Sequence, residues 1–509
     1  MIPTRLNLTA HLLDARIAEG RGGRPAIRTR DRTLTYAEIA RLSAQYAHLL
    51  AADDIRPEER VIVALPDGPD FVAALFGILR HGAVVVMVNP DAPAELIQYF
   101  LEYTRATAAF VPADRLDLFT RAAAGVPRAP RLYAADDDGF STRRDAQPGE
   151  RAPFDSHRDD AAIWLFSGGT TGRPKGVVQT HRSFANTTAL YGHGVLGVSP
   201  DDVTISVPKL FFGYATGANI FFPFSVGASS VLFPERCTPE TLFAEIARHR
   251  PTILINVPTM VQQMVSHPDA SSQDVSSLRL ATSAGEALPA ELHDRWMRTF
   301  GVELLDGLGT AEMWHIFISN HPGGVVPGTL GRVVPGFEVK LCDADGHEVG
   351  GGEVGALWVR GESRAIGYWQ QMDDTAHAFR GEWYVSGDML RRNPDETFTY
   401  CGRSDDMLKV SGKWVAPGEL ENCLLTHPAV LEVAVVGVKS VDGLTKPYAF
   451  VVTTSPSPTL GTELQAYAQS RLERYKYPRQ VIFVDALPRT HLGKVDRGAL
   501  AKQAASSSA

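Results

Sequence analysis

LFSGGTTGRPKGVVQTH, residues 165–181, sets Gly168, Gly169, Gly172 and Gly176 among Ser167, Thr170, Thr171, Arg173 and Lys175. An apolar run, Ala161 to Phe166, leads straight into it, so the glycines follow a buried strand. Glycine admits positive φ and lets backbone amides approach an anion closely. Hydroxyls and a lysine suit phosphate oxygens. The spacing is not that of a P-loop, which ends in Gly-Lys-Ser/Thr at the start of a helix. Here Pro174 precedes Lys175 and Gly176 follows it. Alone, the stretch also fits an ordinary turn, and the decision rests on what accompanies it.

Around this loop the first third of the chain alternates strand and helix patterns. VIVAL (61–65), AVVVMV (83–88) and AAFV (108–111) read as buried strands. Thr35 and Glu38 form a capping box, followed by Ile39, Leu42, Tyr46, Leu49 and Leu50 at helical spacing. Residues 135–160, rich in Asp, Arg, Gly and Pro, read as a surface loop. After the loop come VTISV, SSVLF, TILINV, LRLATS and VELLDG, with helices between most of them. Unbroken apolar strands separated by helices imply mostly parallel sheets covered on both faces. From about residue 328 short, glycine-punctuated strands suggest a small antiparallel barrel. Beyond about residue 403 a compact α+β unit follows, and the tail AKQAASSSA reads as frayed. The expectation is an α/β protein: residues 1–402 as a large domain of doubly wound sheets plus a small β-barrel, and 403–509 as a small mobile domain.

Composition narrows the class. Hydrophobic residues make up 44% and charged residues 21% of the 509 positions, as in globular enzymes. A formal charge of −8 argues against a nucleic-acid binder. Four widely spaced cysteines form no CxxC pair, which points to reduced thiols without structural zinc. Neither a signal-peptide core nor a membrane-spanning run stands out. The expectation is a cytoplasmic enzyme, monomeric or homodimeric, without nucleic-acid or membrane partners.

Further stretches carry chemistry. DGLGTAEM (306–313) puts Glu312 in a small-residue loop after a strand, and YVSGDMLRR (384–392) places Asp388 after another. CGRSDDMLKVSGKW (401–414) joins Arg403, two acids and two lysines, and LPRTHLGKVDR (487–497) presents Lys494 on a glycine turn. In this order and at these separations, over essentially the whole chain, they resemble the acyl-adenylate-forming superfamily of acyl-CoA ligases, adenylation domains and luciferases. KLFFGYATG (209–217) and EMWHIFISN (312–320) make the resemblance closest to benzoate-type aryl-CoA ligases.

The resemblance implies ATP, Mg²⁺ and coenzyme A as reactants and cofactor. Ser167, Gly169, Thr170, Thr171, Gly172 and Lys175 would wrap the β- and γ-phosphates, so the loop holds the leaving pyrophosphate. Glu312 would help hold Mg²⁺. Gly285, Glu286 and Asp306 fall where such proteins place adenine, while Asp388 and Arg403 would bind ribose. Lys494 would contact the substrate carboxylate and the α-phosphate. Gly213, Tyr214, Ala284, Gly309, His315 and Ile316 would form the aryl pocket. Lys209 beside them has either a structural or gating role or a direct contact. Asp405 would be the hinge, and Lys409, Ser411, Gly412, Lys413 and Trp414 would line the thiol's approach.

Two departures stand out. Gly168 replaces a usual hydroxyl residue, and Ala311 stands where a threonine usually touches the α-phosphate, leaving Thr310 as substitute. KLFFGYATGANIFF holds no carboxylate for a substrate ammonium, which disfavours α-amino acids. Glycine rather than alanine at position 213 is read as leaving room for a ring substituent, as in 2-aminobenzoate or a hydroxybenzoate. The implied activity is ATP-dependent aryl-CoA ligation through aryl-AMP, with free coenzyme A favoured as acceptor. The alternatives are an adenylation enzyme loading a carrier protein and a weakly active nucleotide-binding homologue.

Overall fold

The computed structural model describes residues 2–168, 173–410, 413–439, 445–453, 456–473, 475–489 and 495–507. Gly169, Thr170, Thr171, Gly172, Ser411, Gly412 and Lys494 lie outside the described residues, as do the side chains of Lys409, Lys413 and Trp414.

Buried apolar strands build two large sheets. In the seven-stranded sheet, Ala161–Ser167, Val84–Met87, Arg60–Val63, Ala108–Val111 and Arg131–Ala134 run parallel. In the nine-stranded sheet the parallel core includes Ser229–Val231, Val203–Ser206, Ile253–Asn256, Leu280–Ser283 and Leu304–Thr310. Each strand is apolar on both faces because helices cover both sides. Helix Tyr36–Ala52 starts at the capping box: Glu38 N donates to Thr35 Oγ1 and Thr35 N to Glu38 Oε2. Its Ile39, Leu42, Tyr46, Leu49 and Leu50 are buried and pack on helix Pro69–His81.

The antiparallel unit after residue 328 is a five-stranded sheet comprising Glu338–Cys342, Val354–Arg360, Phe379–Arg380, Trp383–Arg392 and Phe398–Arg403. Beyond it, a ribbon pairs Leu408–Val410 with Lys413–Val415. A three-stranded sheet of Val430–Lys439, Thr445–Thr453 and Gln480–Phe483 is packed by helices Pro417–Leu425, Leu460–Arg471 and Arg497–Ser507. Arg497 knits this α+β unit together, donating to Glu421 Oε1 at 2.6 Å and to Val435 O at 2.7 Å.

Two expectations are corrected. Residues 135–160 are not all loop: Asp138–Asp145 is a helix, capped by Asp137 accepting from Gly139 N and Phe140 N. Its single buried anchor, Phe140, packs against Tyr46, Phe110 and Tyr133, and one apolar residue in eight carries no periodic signal. The tail is helical to Ser507 rather than frayed, because Leu500 and Ala504 are buried against the C-terminal sheet. The four cysteines are free. Among the described residues, no helix is long and apolar enough to cross a membrane.

Candidate active site

The arms on either side of the glycine-rich stretch are paired strands. Strand Ala161–Ser167 pairs antiparallel with Lys175–Thr180, in register Ser167 to Lys175, so the strand returns on itself where a P-loop would start a helix. Its second arm is bolted from outside. Tyr99 hydroxyl donates to Pro174 O at 2.8 Å, and Tyr103 hydroxyl accepts from Gly176 N at 3.3 Å. Strand Gly367–Tyr368 pairs with the same arm, bringing Tyr368 beside Lys175. The Lys175 ammonium lies 5.4 Å above the Tyr368 ring and 2.8 Å from Asp374 Oδ2.

Tyr368 reaches the acidic motif as well, its hydroxyl donating to Glu312 Oε1 at 2.9 Å. Glu312 is buried and sits in the 3₁₀ turn Ala311–Met313 that follows strand Leu304–Thr310. Thr310 Oγ1 caps this turn by accepting from Met313 N at 3.3 Å, which leaves its proton free to donate. Ala311 fixes the turn through its carbonyl, which accepts from Gln179 Nε2 at 2.6 Å. The chain then reverses through Trp314 and His315, both at positive φ, into strand His315–Ser319. Gly309 permits the reversal: a Cβ there would lie 2.2 Å from the His315 carbonyl oxygen.

Asp388 lies within strand Trp383–Arg392, not after it, and its cross-strand partner is Arg403. Arg403 Nη1 is 3.5 Å from Asp388 Oδ1, and Tyr400 hydroxyl donates to the same oxygen at 3.4 Å. The Ser-Gly-Asp spacing now has a reason. Ser386 donates to Asp388 Oδ2, and a Cβ on Gly387 would lie 2.5 Å from Arg403 Nη2. Acid and guanidinium thus form one cross-strand pair on the five-stranded sheet. Asp405 is exposed in the turn Ser404–Asp406 immediately beyond it.

The residues expected near adenine are less uniform. Gly285 is exposed in the turn after strand Leu280–Ser283, and Glu286 accepts from Thr259 Oγ1 at 2.8 Å. Asp306 is buried instead, beside Ser283, Tyr191 and Tyr214, and burial holds its carboxyl well above the ordinary value.

Gly213, Tyr214, His315, Gly309 and Ile316 do come together. Gly309 pairs with Ile316 across the hairpin, and buried Ala284 follows the neighbouring strand Leu280–Ser283. His315 Nε2 lies 3.0 Å from Tyr214 O, and Tyr214 hydroxyl lies 2.6 Å from Thr282 Oγ1. Burial pushes the His315 imidazole down to about 3. It is therefore neutral at working pH and offers hydrogen bonds rather than charge.

The expected vacancy at Gly213 is filled. A Cβ there would meet Leu165 Cδ1 at 3.1 Å and Trp314 Nε1 at 3.5 Å. The missing methyl makes way for the protein's own side chains, so room for a ring substituent cannot be read from this glycine. Trp314 is enclosed by Phe184, Phe221 and Phe222, a position the sequence did not single out. A cavity of about 260 Å³ is lined by residues that include Met87, Phe100, Phe166, Ser167, Phe211 and Phe212. Lys209 points away from it, donating to Phe233 O at 2.7 Å, which is the geometry of a structural clamp. Asp67, also absent from the sequence reading, holds this segment from below by accepting from Leu210 N at 2.8 Å.

A cleft with a lysine-bearing hairpin, an acid facing it and an acid–arginine pair on an adjoining sheet has the parts of a nucleotide-using enzyme. The family comparison agrees. The AMP-binding enzyme model matches residues 14–369 and the AMP-binding enzyme C-terminal domain model residues 419–494; the chain belongs to this family. It is 40% identical to a benzoate–CoA ligase of Thauera aromatica, over 97% of this chain and 96% of that one. It is 38% identical to a 4-hydroxybenzoate–CoA/benzoate–CoA ligase of Rhodopseudomonas palustris, over 96% and 93%. The crystal structure of the anthranilate CoA ligase AuaEII with anthranoyl-AMP superposes with a TM-score of 0.94 at 36% identity, covering 99% of this chain and 98% of that one.

Two outcomes follow from these contacts. Gly213→Ala crowds Leu165 and should cost about 1–3 kcal/mol of packing, lowering the melting temperature and kcat/KM for benzoate and substituted benzoates alike. Adding Leu165→Ala should restore part of both. A loss confined to substituted acids would instead place the ring against Gly213. For Asp67, burial raises the carboxyl from 3.8 to about 6 against the opposing charge of Lys209. Between those values the folded chain keeps a proton that the unfolded chain has lost, so this group lowers stability as pH rises through the window. Asp67→Asn keeps the acceptor for Leu210 and should be more stable than wild type above pH 6, by on the order of 2–3 kcal/mol. That gap should close near pH 4; an equal gap at pH 4 and pH 7 rejects the assignment.

Proposed function

We propose that this chain is an ATP-dependent, AMP-forming aryl-CoA ligase that activates benzoate or a simple amino- or hydroxy-substituted benzoate. The observation that carries the reading is the uncharged wall formed by Gly213, Tyr214, Ala284, Gly309, His315 and Ile316. His315 is held neutral by burial, so the wall offers an aromatic ring apolar area and hydrogen bonds while giving an ammonium no counter-charge. The near full-length likeness to benzoate-type ligases supports the same substrate class.

In this reading the hairpin from Ser167 to Lys175 takes the β- and γ-phosphates. Asp388 accepts from the ribose hydroxyls, with Arg403 donating beside it. Thr310 donates its free proton toward the α-phosphate in place of the missing hydroxyl at position 311. Glu312 suits Mg²⁺: its Oε1 accepts a hydrogen bond from Tyr368, and its carboxylate forms no ion pair with a cationic side chain among the described residues. Bound there with phosphate oxygens, the ion would neutralise charge on the triphosphate. Carboxylate attack on the α-phosphate gives aryl-AMP and pyrophosphate, and Lys494 offsets the repulsion as that bond forms. Coenzyme A thiol then displaces AMP. Residues 403–509 turn about Asp405 between the two steps, exchanging Lys494 for the Lys409–Trp414 ribbon with its Ser411, Gly412 and Lys413.

Incubation with ATP, Mg²⁺ and coenzyme A, with benzoate, 2-aminobenzoate and hydroxybenzoates in parallel, should give the acyl-CoA by mass spectrometry. An adenylate that reacts only with a carrier protein would support the loading enzyme instead, and no product at all a nucleotide-binding homologue. The two half-reactions should also separate. Lys494→Ala should slow aryl-AMP formation by on the order of 10²–10³ and largely spare thioester formation from supplied aryl-AMP. Asp405→Pro, which fixes φ, should do the reverse. Equal losses in both steps would end the two-orientation account.

A further inference from the structure

Lys175 has a partner inside the protein. Its ammonium is 2.8 Å from Asp374 Oδ2, with the lysine side chain 14% exposed and the aspartate 39%. The acid sits on the solvent side, on the short helix Met372–Ala378. Its neighbour Thr375 ties that helix to the strand bearing Tyr368, accepting from Tyr368 N at 3.0 Å and donating to Gln371 O at 2.7 Å. Tyr368 lies beneath the lysine and donates to Glu312. The ammonium therefore has two separate restraints: a ring that fixes its place and a carboxylate that occupies its charge.

We propose that Asp374 is a positioning residue that acts as the resident counter-ion of Lys175, which the triphosphate must displace on binding and which reclaims the lysine as pyrophosphate leaves. The inference rests on the reading of Lys175 as a phosphate ligand. One ammonium cannot serve a carboxylate and a polyphosphate at full strength, because the two anions repel each other at contact distance. Every phosphate ligand of Lys175 is thus weakened by the strength of the pair. ATP and pyrophosphate share this penalty, so the acid opposes product retention as much as substrate binding. Without the acid the lysine stays in place, held by strand Lys175–Thr180 and the Tyr368 ring.

Calorimetric titration of the full chain with Mg-ATP and with Mg-pyrophosphate, alongside initial rates, tests this. Asp374→Asn should bind both ligands about fivefold tighter, the scale of a partly exposed ion pair. The KM for ATP and the inhibition constant of pyrophosphate should fall together while the KM for the aromatic acid stays put. Asp374→Glu should return both affinities toward wild type, and Asp374→Ser replaces the asparagine variant if that variant melts early. Unchanged or weaker binding in the asparagine or serine variant, with Lys175→Ala still weakening both ligands, overturns the role of Asp374 and leaves the phosphate reading intact. Unchanged binding in Lys175→Ala overturns both.

Discussion

Trp314 and His315 take φ values of 36° and 84°, a region that costs a side-chain-bearing residue about 1–3 kcal/mol. The arrangement of the cleft depends on this reversal. Two residues before it, Glu312 is delivered to Tyr368 beside Lys175; at its end, His315 is delivered to Tyr214. The strain persists because the indole of Trp314 is enclosed by three phenylalanines and Thr187 Oγ1 donates to its carbonyl at 3.2 Å. Burial of a ring that size offsets the backbone cost.

The reversal also divides the cleft electrostatically. On the hairpin side stand Lys175, Asp374, Glu312 and the Asp388–Arg403 pair. On the other stand Tyr214, Ile316 and a neutral imidazole. In the proposed reaction, polyphosphate and apolar ring have opposite solvation needs, and the two halves differ in the same sense. Tyr368 belongs to the charged half and is the piece that makes it rigid, since its backbone pairs with the hairpin while its hydroxyl fixes the acid.

Much of this was legible in the residues. The capping box at Thr35 and Glu38 and the unbroken apolar strands announced the sheet architecture, since they depend on local pattern. The Asp388–Arg403 and Gly309–His315 neighbourhoods followed from the motifs that carried the family likeness. What the sequence hid is of one physical kind: partners supplied from far along the chain. Tyr368, Asp374, Tyr99, Tyr103 and Asp67 act on segments with which they share no periodicity. Trp314 shows the hazard in reverse. Read alone, glycine at 213 meant space, and only the indole and Leu165 packed against it reveal that the space was already taken. Asp306 makes a related point, since its motif does not reveal that the fold buries it beside Ser283 and Tyr214.

The close approach at Gly309 sets a boundary on how this scaffold can diversify. With a backbone carbonyl 2.2 Å from any Cβ at that position, the wall proposed for the ring is main chain there and carries no adjustable side chain. Gly213 is less constrained, since a Cβ there would meet the tip of the Leu165 side chain at 3.1 Å. Side-chain volume in the proposed ring wall can then change at Ala284 and Ile316, both of them packed in the core. Each substitution at those two positions is also a core substitution, so any change in ring preference is coupled to a change in packing.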